Sequence, residues 1–236
     1  MALVLKNTKE SEESKVKVVV YGPAGVGKTS LAKTCPAPLL LSMESGLLSL
    51  KGENVTYLDI KSADELEEAL EAVKGPGGEP FKTVILDSIS ELSHIIRKEE
   101  ENNPANKSEK GKDNGFKVYS SIAARTIDIL MKFRDLDKHV VLIAQERQKT
   151  SDNSISNIIP QLEGHQAGER LPYLFDLVLY MRYADEVTKA GERYLQTNGD
   201  NIRVAKDRSG RLDPVEAPDL GAIFAKVNRT DNEGSN

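Results

Sequence analysis

The sequence contains no tryptophan, a single cysteine and few aromatic residues. Phe and Tyr together make up 5 % of its 236 residues, so extensive base-stacking surfaces are not expected. Cys35 has no second cysteine in the chain to pair with, which excludes an internal disulfide and predicts a reducing, cytoplasmic environment. No apolar run approaches the roughly 18 residues that a transmembrane helix requires, so we expect no association with a membrane.

Positive charge is also in short supply. The chain has 32 Lys and Arg against 37 Asp and Glu, for a net charge of −5. This balance excludes a protein that coats nucleic acid through bulk charge, although local loops can still bind it. Apolar residues make up 39 %, enough for one substantial core. We divide the chain into a polar leader (1–15), a core (16–227) and a disordered tail (228–236).

Five runs of apolar and β-branched residues have the composition of buried strands. They cover residues 16–21, 39–41, 55–60, 83–87 and 140–144.

Helical periodicity fills the intervals between these runs. Helices are predicted over 28–35, after Ser62 with its capping-box partner Glu65, through 89–96 and over about 118–136.

The rest of the chain is more polar. Residues 97–115 and 145–170 are interpreted as loops, and the segments 174–181, 193–196 and 202–205 alternate like the strands of a meander. A short helix is predicted over 220–227. Strands that alternate with helices predict an α/β fold, with a mainly parallel central sheet flanked by helices and a C-terminal β-meander.

Residues 22–29 match the Walker A pattern of a phosphate loop, between a predicted strand and a predicted helix. Glycines let the backbone wrap around a phosphate with its N–H groups pointing inward, and the positive end of the following helix adds attraction. Lys28 supplies charge to the β- and γ-phosphates, and the Thr29 hydroxyl can ligate Mg²⁺. The predicted ATP-binding residues are Gly22, Pro23, Ala24, Gly25, Val26, Gly27, Lys28, Thr29 and Ser30.

A phosphate loop also needs a carboxylate near its metal, at the C-terminal end of a neighbouring strand. Asp87 ends the apolar run that begins at Thr83 and suits this role. An aspartate after four apolar residues is common by itself, so the assignment depends on the phosphate loop upstream. We therefore predict that Thr29 and Asp87 hold the Mg²⁺ ion.

Several further segments resemble the core of RecA-type ATPases. Residues 41–47 (LSMESGL) resemble the segment with the glutamate that activates water, which implies that Glu44 is the general base; the alternative is a solvated loop glutamate. Residues 84–92 (VILDSISEL) resemble the RecA Walker B segment, including the serine after its aspartate. Residues 141–145 (VLIAQ) resemble the strand that ends in a γ-phosphate-sensing glutamine, so Gln145 would couple nucleotide state to the loop that follows.

Residues 202–208 (IRVAKDR) resemble a late RecA strand with paired cations. The resemblance implies that Lys206 and Arg208 reach the ATP of the next subunit and stabilise charge on the transferred phosphoryl group. The alternative is two surface cations. The resemblance also implies self-association into a ring or filament with ATP at the subunit interface.

The resemblance covers about residues 16–215 and leaves no room for the large additional domains of full-length RecA. The adenine-contacting residues of RecA have no match after Glu44, so base preference is open. Residues 160–176 resemble a group of small bacteriophage ATP-binding proteins that serve in single-strand annealing or strand pairing. This implies a phage recombination protein in the bacterial host cytoplasm, with DNA-stimulated ATPase activity and a single-strand-binding protein as a further partner.

The two polar stretches lie where a RecA core has its DNA-binding loops. Neither is a basic patch, because acidic residues balance the basic ones, but an oligomer repeats each loop and weak contacts can sum. Ile158, Ile159 and Pro160 either wedge between bases or pack beneath the loop, and the sequence favours neither. The candidate residues for single-stranded DNA are Lys107, Lys110, Lys112, Arg147, Lys149, His165 and Arg170.

Three other functions are compatible with a phosphate loop. A small-molecule kinase would need an arginine-rich lid and an acceptor pocket. An AAA-type ATPase acting on protein would need a helical lid domain after the core, where this sequence has strand-like segments. A nucleotide-gated interaction module would bind ATP with little hydrolysis.

Overall fold

A computed structural model provides the structure of the chain. It describes residues 14–44, 46–106, 115–151, 154–164, 166–185, 187–188 and 190–229. The strands are β1 (Lys17–Gly22), β2 (Pro38–Ser42), β3 (Thr56–Asp59), β4 (Thr83–Asp87), β5 (His139–Ser151), β6 (Ser154–Pro160), β7 (Leu177–Asp185), β8 (Ala190–Gln196), β9 (Lys206–Asp207) and β10 (Val215–Glu216). The helices are α1 (Ala63–Lys74), α2 (Ile89–Asn102), α3 (Gly115–Arg134), α4 (Ala167–Leu174) and α5 (Leu220–Asn228). Short 3-10 helices cover Thr29–Thr34, Leu47–Leu50, Pro76–Gly78 and Pro104–Asn106.

The strands form one sheet in the order β10-β8-β7-β1-β5-β4-β2-β3, with β6 paired to β5 and β9 to β7. The six strands from β7 to β3 in this order are parallel, and β6, β8, β9 and β10 pair antiparallel. The predicted α/β fold, with its mainly parallel sheet and antiparallel C-terminal strands, is confirmed.

Both faces of the sheet are covered. Because successive side chains of a strand point to opposite faces, Val19 packs in one apolar cluster and Val18 and Val20 in another. Helices α1, α2, α3 and α4 contribute to the first cluster, and α5 with the 3-10 helix Thr29–Thr34 contributes to the second. No helix in the described ranges is long and apolar enough to cross a bilayer.

The sheet order gathers the C-terminal ends of three strands. β5 lies between β1, which leads into the phosphate loop, and β4, which ends at Asp87. The register pairs Gly22 with Gln145, and Asp87 with Ser42 and Ile143. In an open parallel sheet ligands bind at this edge, so the topology places the predicted catalytic and metal residues around one point.

The predicted loop over 97–115 is wrong at its start, because α2 continues to Asn102. Ion pairs replace apolar periodicity as the support for this extension: Arg97 pairs with Glu101 at 2.8 Å, one helical turn away. Glu100 is buried and accepts hydrogen bonds from Asn106 Nδ2 at 2.7 Å and Arg125 Nη1 at 3.3 Å. A search for apolar repeats has no means of detecting such a helix.

The predicted loop over 145–170 is also wrong. β5 runs on to Ser151, beyond its neighbours in the sheet, and folds back through β6 as an antiparallel hairpin that leads into α4. Ile158 and Ile159 are buried in this hairpin, so they pack within the protein and are not wedges for DNA bases.

Two smaller segments differ from prediction. The helix after the phosphate loop is a 3-10 helix, held by i to i−3 hydrogen bonds such as Leu31 N–H to Lys28 O at 3.1 Å. The predicted strand over 202–205 is irregular apart from a bridge between Ile158 and Arg203. α5 ends at Asn228, where the predicted tail begins, and residues 230–236 and most of the leader lie outside the described residues.

Candidate nucleotide-binding site

The phosphate loop connects β1 to the 3-10 helix and depends on glycine at specific points. Gly25 and Gly27 have φ of 76° and 99°, in the left-handed region where side chains are strained. A Cβ at Gly22 would overlap the carbonyl oxygen of Met181 on β7. These three positions therefore require glycine to keep the loop close to the strand beside it.

The Lys28 side chain folds back over the loop. Its Nζ donates hydrogen bonds of 2.9 Å to the carbonyl oxygens of Gly22 and Pro23. Burial lowers the pKa of Lys28, and the charges of Asp87, Glu44 and Glu146 oppose that shift. The ammonium is therefore held at the loop in a place where carboxylates favour its charged form.

Thr29 and Asp87 meet at the predicted metal position. Thr29 Oγ1 donates a 2.6 Å hydrogen bond to Asp87 Oδ2. Burial raises the pKa of Asp87 to about 6; the Thr29 hydrogen bond and the Lys28 charge lower it, and the charge of Glu44 raises it further. A hydroxyl and a buried carboxylate beside a phosphate loop are oxygen ligands that suit Mg²⁺, so these residues fit the predicted ion.

Glu44 lies just after β2 and is held by two donors. Ser88 Oγ donates to Glu44 Oε1, and Gln145 Nε2 donates to the same oxygen at 3.1 Å. The backbone N–H groups of Met43 and Glu44 both donate to Asp87 O, at 2.7 and 3.3 Å, and the Asp87–Ser88 peptide is cis. The carboxylate is therefore positioned at the same sheet edge as the phosphate loop and Asp87.

Gln145 marks the point where β5 leaves the main sheet. Its backbone N–H donates to Ser90 Oγ at 2.9 Å, and Ser90 Oγ donates to Gln161 O at 2.8 Å. Gln161 N–H returns a 2.8 Å hydrogen bond to Gln145 O. The base of the hairpin, the start of α2 and the Glu44 contact are thus joined through one residue.

Lys206 and Arg208 are not brought to the phosphate loop of their own chain. β9 pairs with Leu177 and Val178 at the start of β7, whereas the loop lies against the later residue Met181. Lys206 Nζ donates to Pro172 O at 2.5 Å, and Arg208 pairs with Asp176 at 3.2 Å. Any contact of these cations with ATP has to come from another copy of the chain.

The predicted DNA-binding residues are only partly placed. Lys107, Lys110, Lys112 and His165 lie outside the described residues. Arg147 and Lys149 lie on β5 and line a groove of about 600 Å³, whereas exposed Arg170 lies on α4 and does not line it. Lys149 forms an ion pair with Glu169. The groove is lined by Phe116, Tyr119, Ser120, Arg147, Lys149, Glu163, Gly164, Gln166 and Glu169.

The sequence did not point to two aromatic residues of this groove. Phe116 is 81 % exposed and Tyr119 is 46 % exposed, and they lie three residues apart on one face of α3. Exposed aromatics at this spacing form a surface on which bases can stack. Their spacing was a usable signal, which the interpretation of the neighbouring polar stretch as a loop obscured.

Two further residues that the sequence did not indicate lie against the phosphate loop. Tyr183 on β7 donates a 2.9 Å hydrogen bond from its hydroxyl to Gly25 O. Arg193 on β8 is the cross-strand partner of Tyr183, and its guanidinium carbon lies 5.5 Å from the centre of the tyrosine ring. A Cβ at Gly27 would lie 2.5 Å from Arg193 Nη1. No local motif reveals this contact, because it depends on strand register.

One family model matches most of the chain. The family is described as AAA domain, and the match covers residues 14–209. Among solved structures, the ATPase domain of a helicase is 16 % identical, with 82 % of this chain and 78 % of that chain covered and a TM-score of 0.45. The RadB recombinase is also 16 % identical, with 79 % and 83 % covered and a TM-score of 0.45. A search of curated proteins found no match.

Proposed function

The chain belongs to the AAA domain family, and on that premise we propose that it binds and hydrolyses Mg-ATP and acts on single-stranded DNA as a recombination ATPase. The observation that carries the ATPase proposal is the meeting of Lys28, the Thr29–Asp87 pair and the doubly held Glu44 at one edge of the sheet. Phage origin and a role in annealing or strand pairing rest on the sequence resemblance over residues 160–176.

Each residue has a distinct task in this mechanism. The loop N–H groups and Lys28 bind the β- and γ-phosphates. Thr29 and Asp87 hold the Mg²⁺ ion, which neutralises charge on the phosphate oxygens when bound. Glu44 accepts a proton from the attacking water, and the donors Ser88 and Gln145 orient its carboxylate.

Phosphate release from ATP, measured with and without single-stranded DNA, tests this function directly. We expect Mg²⁺-dependent turnover that rises when DNA is added. ATP binding without turnover under both conditions would instead support a nucleotide-gated interaction module. Clean protein that gives no calorimetric heat with either Mg-ATP or Mg-GTP would refute the proposal at its base.

The groove beside the hairpin supports the DNA part of the proposal. It combines the exposed rings of Phe116 and Tyr119 with two cationic side chains on β5. Within the described residues, Arg147 has no carboxylate within ion-pair distance, so its charge is available to a backbone phosphate, unlike that of Lys149. Aromatic stacking contributes about 1–3 kcal/mol per base, which offsets the modest positive charge.

Fluorescence anisotropy with a labelled oligonucleotide tests this groove. The double variant Phe116→Ala/Tyr119→Ala and the variant Arg147→Gln should each bind more weakly than the wild type. The matched control Phe116→Tyr/Tyr119→Phe keeps both rings and should bind normally. Undiminished binding by the alanine pair would assign DNA to another surface.

Self-association is supported by an uncovered edge of the sheet. All four residues of β3 are exposed, including Tyr57 and Leu58 at 53 % and 47 %. An exposed apolar edge strand is a template for pairing with a second chain. A second copy would also be the source of Lys206 and Arg208 at the phosphate loop.

Mixing two inactive variants tests action in trans. Lys28→Ala removes the loop cation but keeps Lys206 and Arg208, and the variant Lys206→Ala/Arg208→Ala has the opposite defect. If the cations act between subunits, the mixture should regain ATPase activity that neither variant has alone. A mixture as inactive as its components, in material that oligomerises by light scattering, would rule this role out.

Two of the alternatives meet specific features of the structure. A cavity of about 670 Å³ beside Glu44, lined also by Asp59, Lys61 and Lys98, has room for the acceptor of a small-molecule kinase. A mass-spectrometric search for phosphorylated small molecules would reveal that activity. A protein remodeller of AAA type needs a helical lid, and after β6 the described residues contain only two helices, α4 and α5, of 8 and 9 residues.

A further inference from the structure

The hairpin of β7 and β8 carries one of its faces onto the phosphate loop. Tyr183 and Arg193 are cross-strand partners and therefore project from the same face of the hairpin. Tyr183 is anchored to the loop by its hydrogen bond to Gly25 O at 2.9 Å, and Arg193 Nη1 lies against Gly27. The next pair, Arg182 and Tyr194, belongs to the opposite face, with the Arg182 guanidinium carbon 4.8 Å from the Tyr194 ring centre.

Structural roles within the chain do not account for the position of Arg193. The residue is exposed, and within the described ranges no carboxylate lies within ion-pair distance of its guanidinium. Its printed partner is the Tyr183 ring, which orients the group over the loop but does not neutralise its charge. The residue after Gly27 is Lys28, so two cations are held at the same short segment, an arrangement that an anion between them would stabilise.

We propose that Arg193 is a nucleotide-binding residue that acts within its own subunit, with its guanidinium on the phosphate chain of the bound nucleoside triphosphate and Tyr183 as its positioning residue. The planar guanidinium can donate two parallel hydrogen bonds to phosphate oxygens. This inference rests on the proposed nucleotide site and adds a second cation to it, contributed by a hairpin that lies far along the chain from the loop.

Calorimetric titration of Arg193→Gln with Mg-ATP, ADP and AMP tests the proposal. A charge-assisted contact with phosphate predicts a dissociation constant for ATP about tenfold higher than that of the wild type, with a smaller change for AMP. Arg193→Lys keeps the charge without the fork and should fall between the two. Arg182→Gln, on the other face of the same hairpin, is the matched control and should bind ATP like the wild type, with thermal melting to check that each variant folds.

The outcomes separate this inference from the function on which it rests. Wild-type protein that binds no nucleotide would overturn both. Wild-type protein that binds and hydrolyses ATP, together with an Arg193→Gln variant of unchanged affinity, would overturn the inference alone. An equal loss of affinity in Arg182→Gln would also overturn it, because the effect would then belong to the hairpin and not to one guanidinium.

Discussion

The Gln145 side chain donates a 3.1 Å hydrogen bond to Glu44, a residue 101 positions earlier in the chain. Ser88 donates to the same carboxylate oxygen, so one carboxylate is shared between donors that follow two neighbouring strands. Gln145 also begins the β5 extension that forms the hairpin and the DNA groove. A change in the hydrogen bonding of Glu44 during ATP hydrolysis therefore has a direct route to the groove.

Glu44→Gln should bind ATP normally but hydrolyse it slowly. The amide keeps the shape and the hydrogen-bonding capacity of the side chain but cannot accept the proton of water, so we expect kcat to fall by about 10² to 10⁴. Steady-state phosphate release and calorimetric affinity for ATP measure the two effects separately. The control is Glu53→Gln, which loses only a surface ion pair with Lys33. Unchanged turnover in Glu44→Gln would remove Glu44 from the mechanism.

Gln145→Ala should reduce the stimulation of ATPase activity by single-stranded DNA. The substitution removes the contact with Glu44 but leaves the backbone hydrogen bonds at the base of the hairpin in place. The ratio of turnover with and without DNA is the appropriate measurement, at a DNA concentration that saturates both proteins. Gln148→Ala, whose side chain bonds to Glu146 on the same strand, serves as the control. Full stimulation in Gln145→Ala would mean that the signal takes another route.

Lys28→Ala should abolish measurable ATP binding. The substitution removes the ammonium that the loop holds 2.9 Å from two of its own carbonyl oxygens, and charge-assisted contacts with phosphate are among the strongest in proteins. We expect affinity for Mg-ATP to fall by about 100-fold or more. Lys33→Ala removes a lysine that pairs on the surface with Glu53, and it should bind ATP like the wild type.

Thr29→Val should raise the Mg²⁺ concentration needed for tight ATP binding. Valine has nearly the shape of threonine but no hydroxyl, so both the hydrogen bond to Asp87 and the ion ligand are lost. Thr29→Ser keeps the hydroxyl and should retain the wild-type Mg²⁺ requirement. Titration of Mg²⁺ at fixed ATP, followed by calorimetry, compares the three proteins. Identical curves would exclude Thr29 as a ligand.

Cys35 should be unreactive in the folded protein. It is 6 % exposed, and burial raises its pKa to about 12, so at pH 8 almost none of it is the reactive thiolate. The folded state keeps the thiol proton at pH values where the unfolded chain loses it, so this group contributes less stability as pH rises from about 8.5 toward 12. A chromogenic disulfide reagent should label denatured protein quickly and native protein only at the rate of unfolding. Rapid labelling of native protein at pH 8 would contradict the buried position.

Long hydrogen-bonding segments were predictable where the pattern was local and apolar. β4 was predicted over the residues it occupies, and the Ser62–Glu65 cap of α1 is present, with Ser62 accepting from Glu65 N–H at 3.2 Å. The end of α2 and the β5–β6 hairpin were missed because they depend on ion pairs, on one buried carboxylate and on strand pairing across polar residues. Such contacts leave no periodic signal in the chain.

The amino-acid sequence alone determined the phosphate loop, because its glycines, Lys28 and Thr29 are consecutive and act through local backbone geometry. Tertiary structure alone decided which distant residues join that loop. Sheet order and register bring Asp87, Glu44 and Gln145 to one edge, place Arg193 over Gly27, and leave Lys206 and Arg208 at the other end of β7. The physical reason is that strand order is decided by how the whole chain buries its apolar faces, and no local segment carries that information.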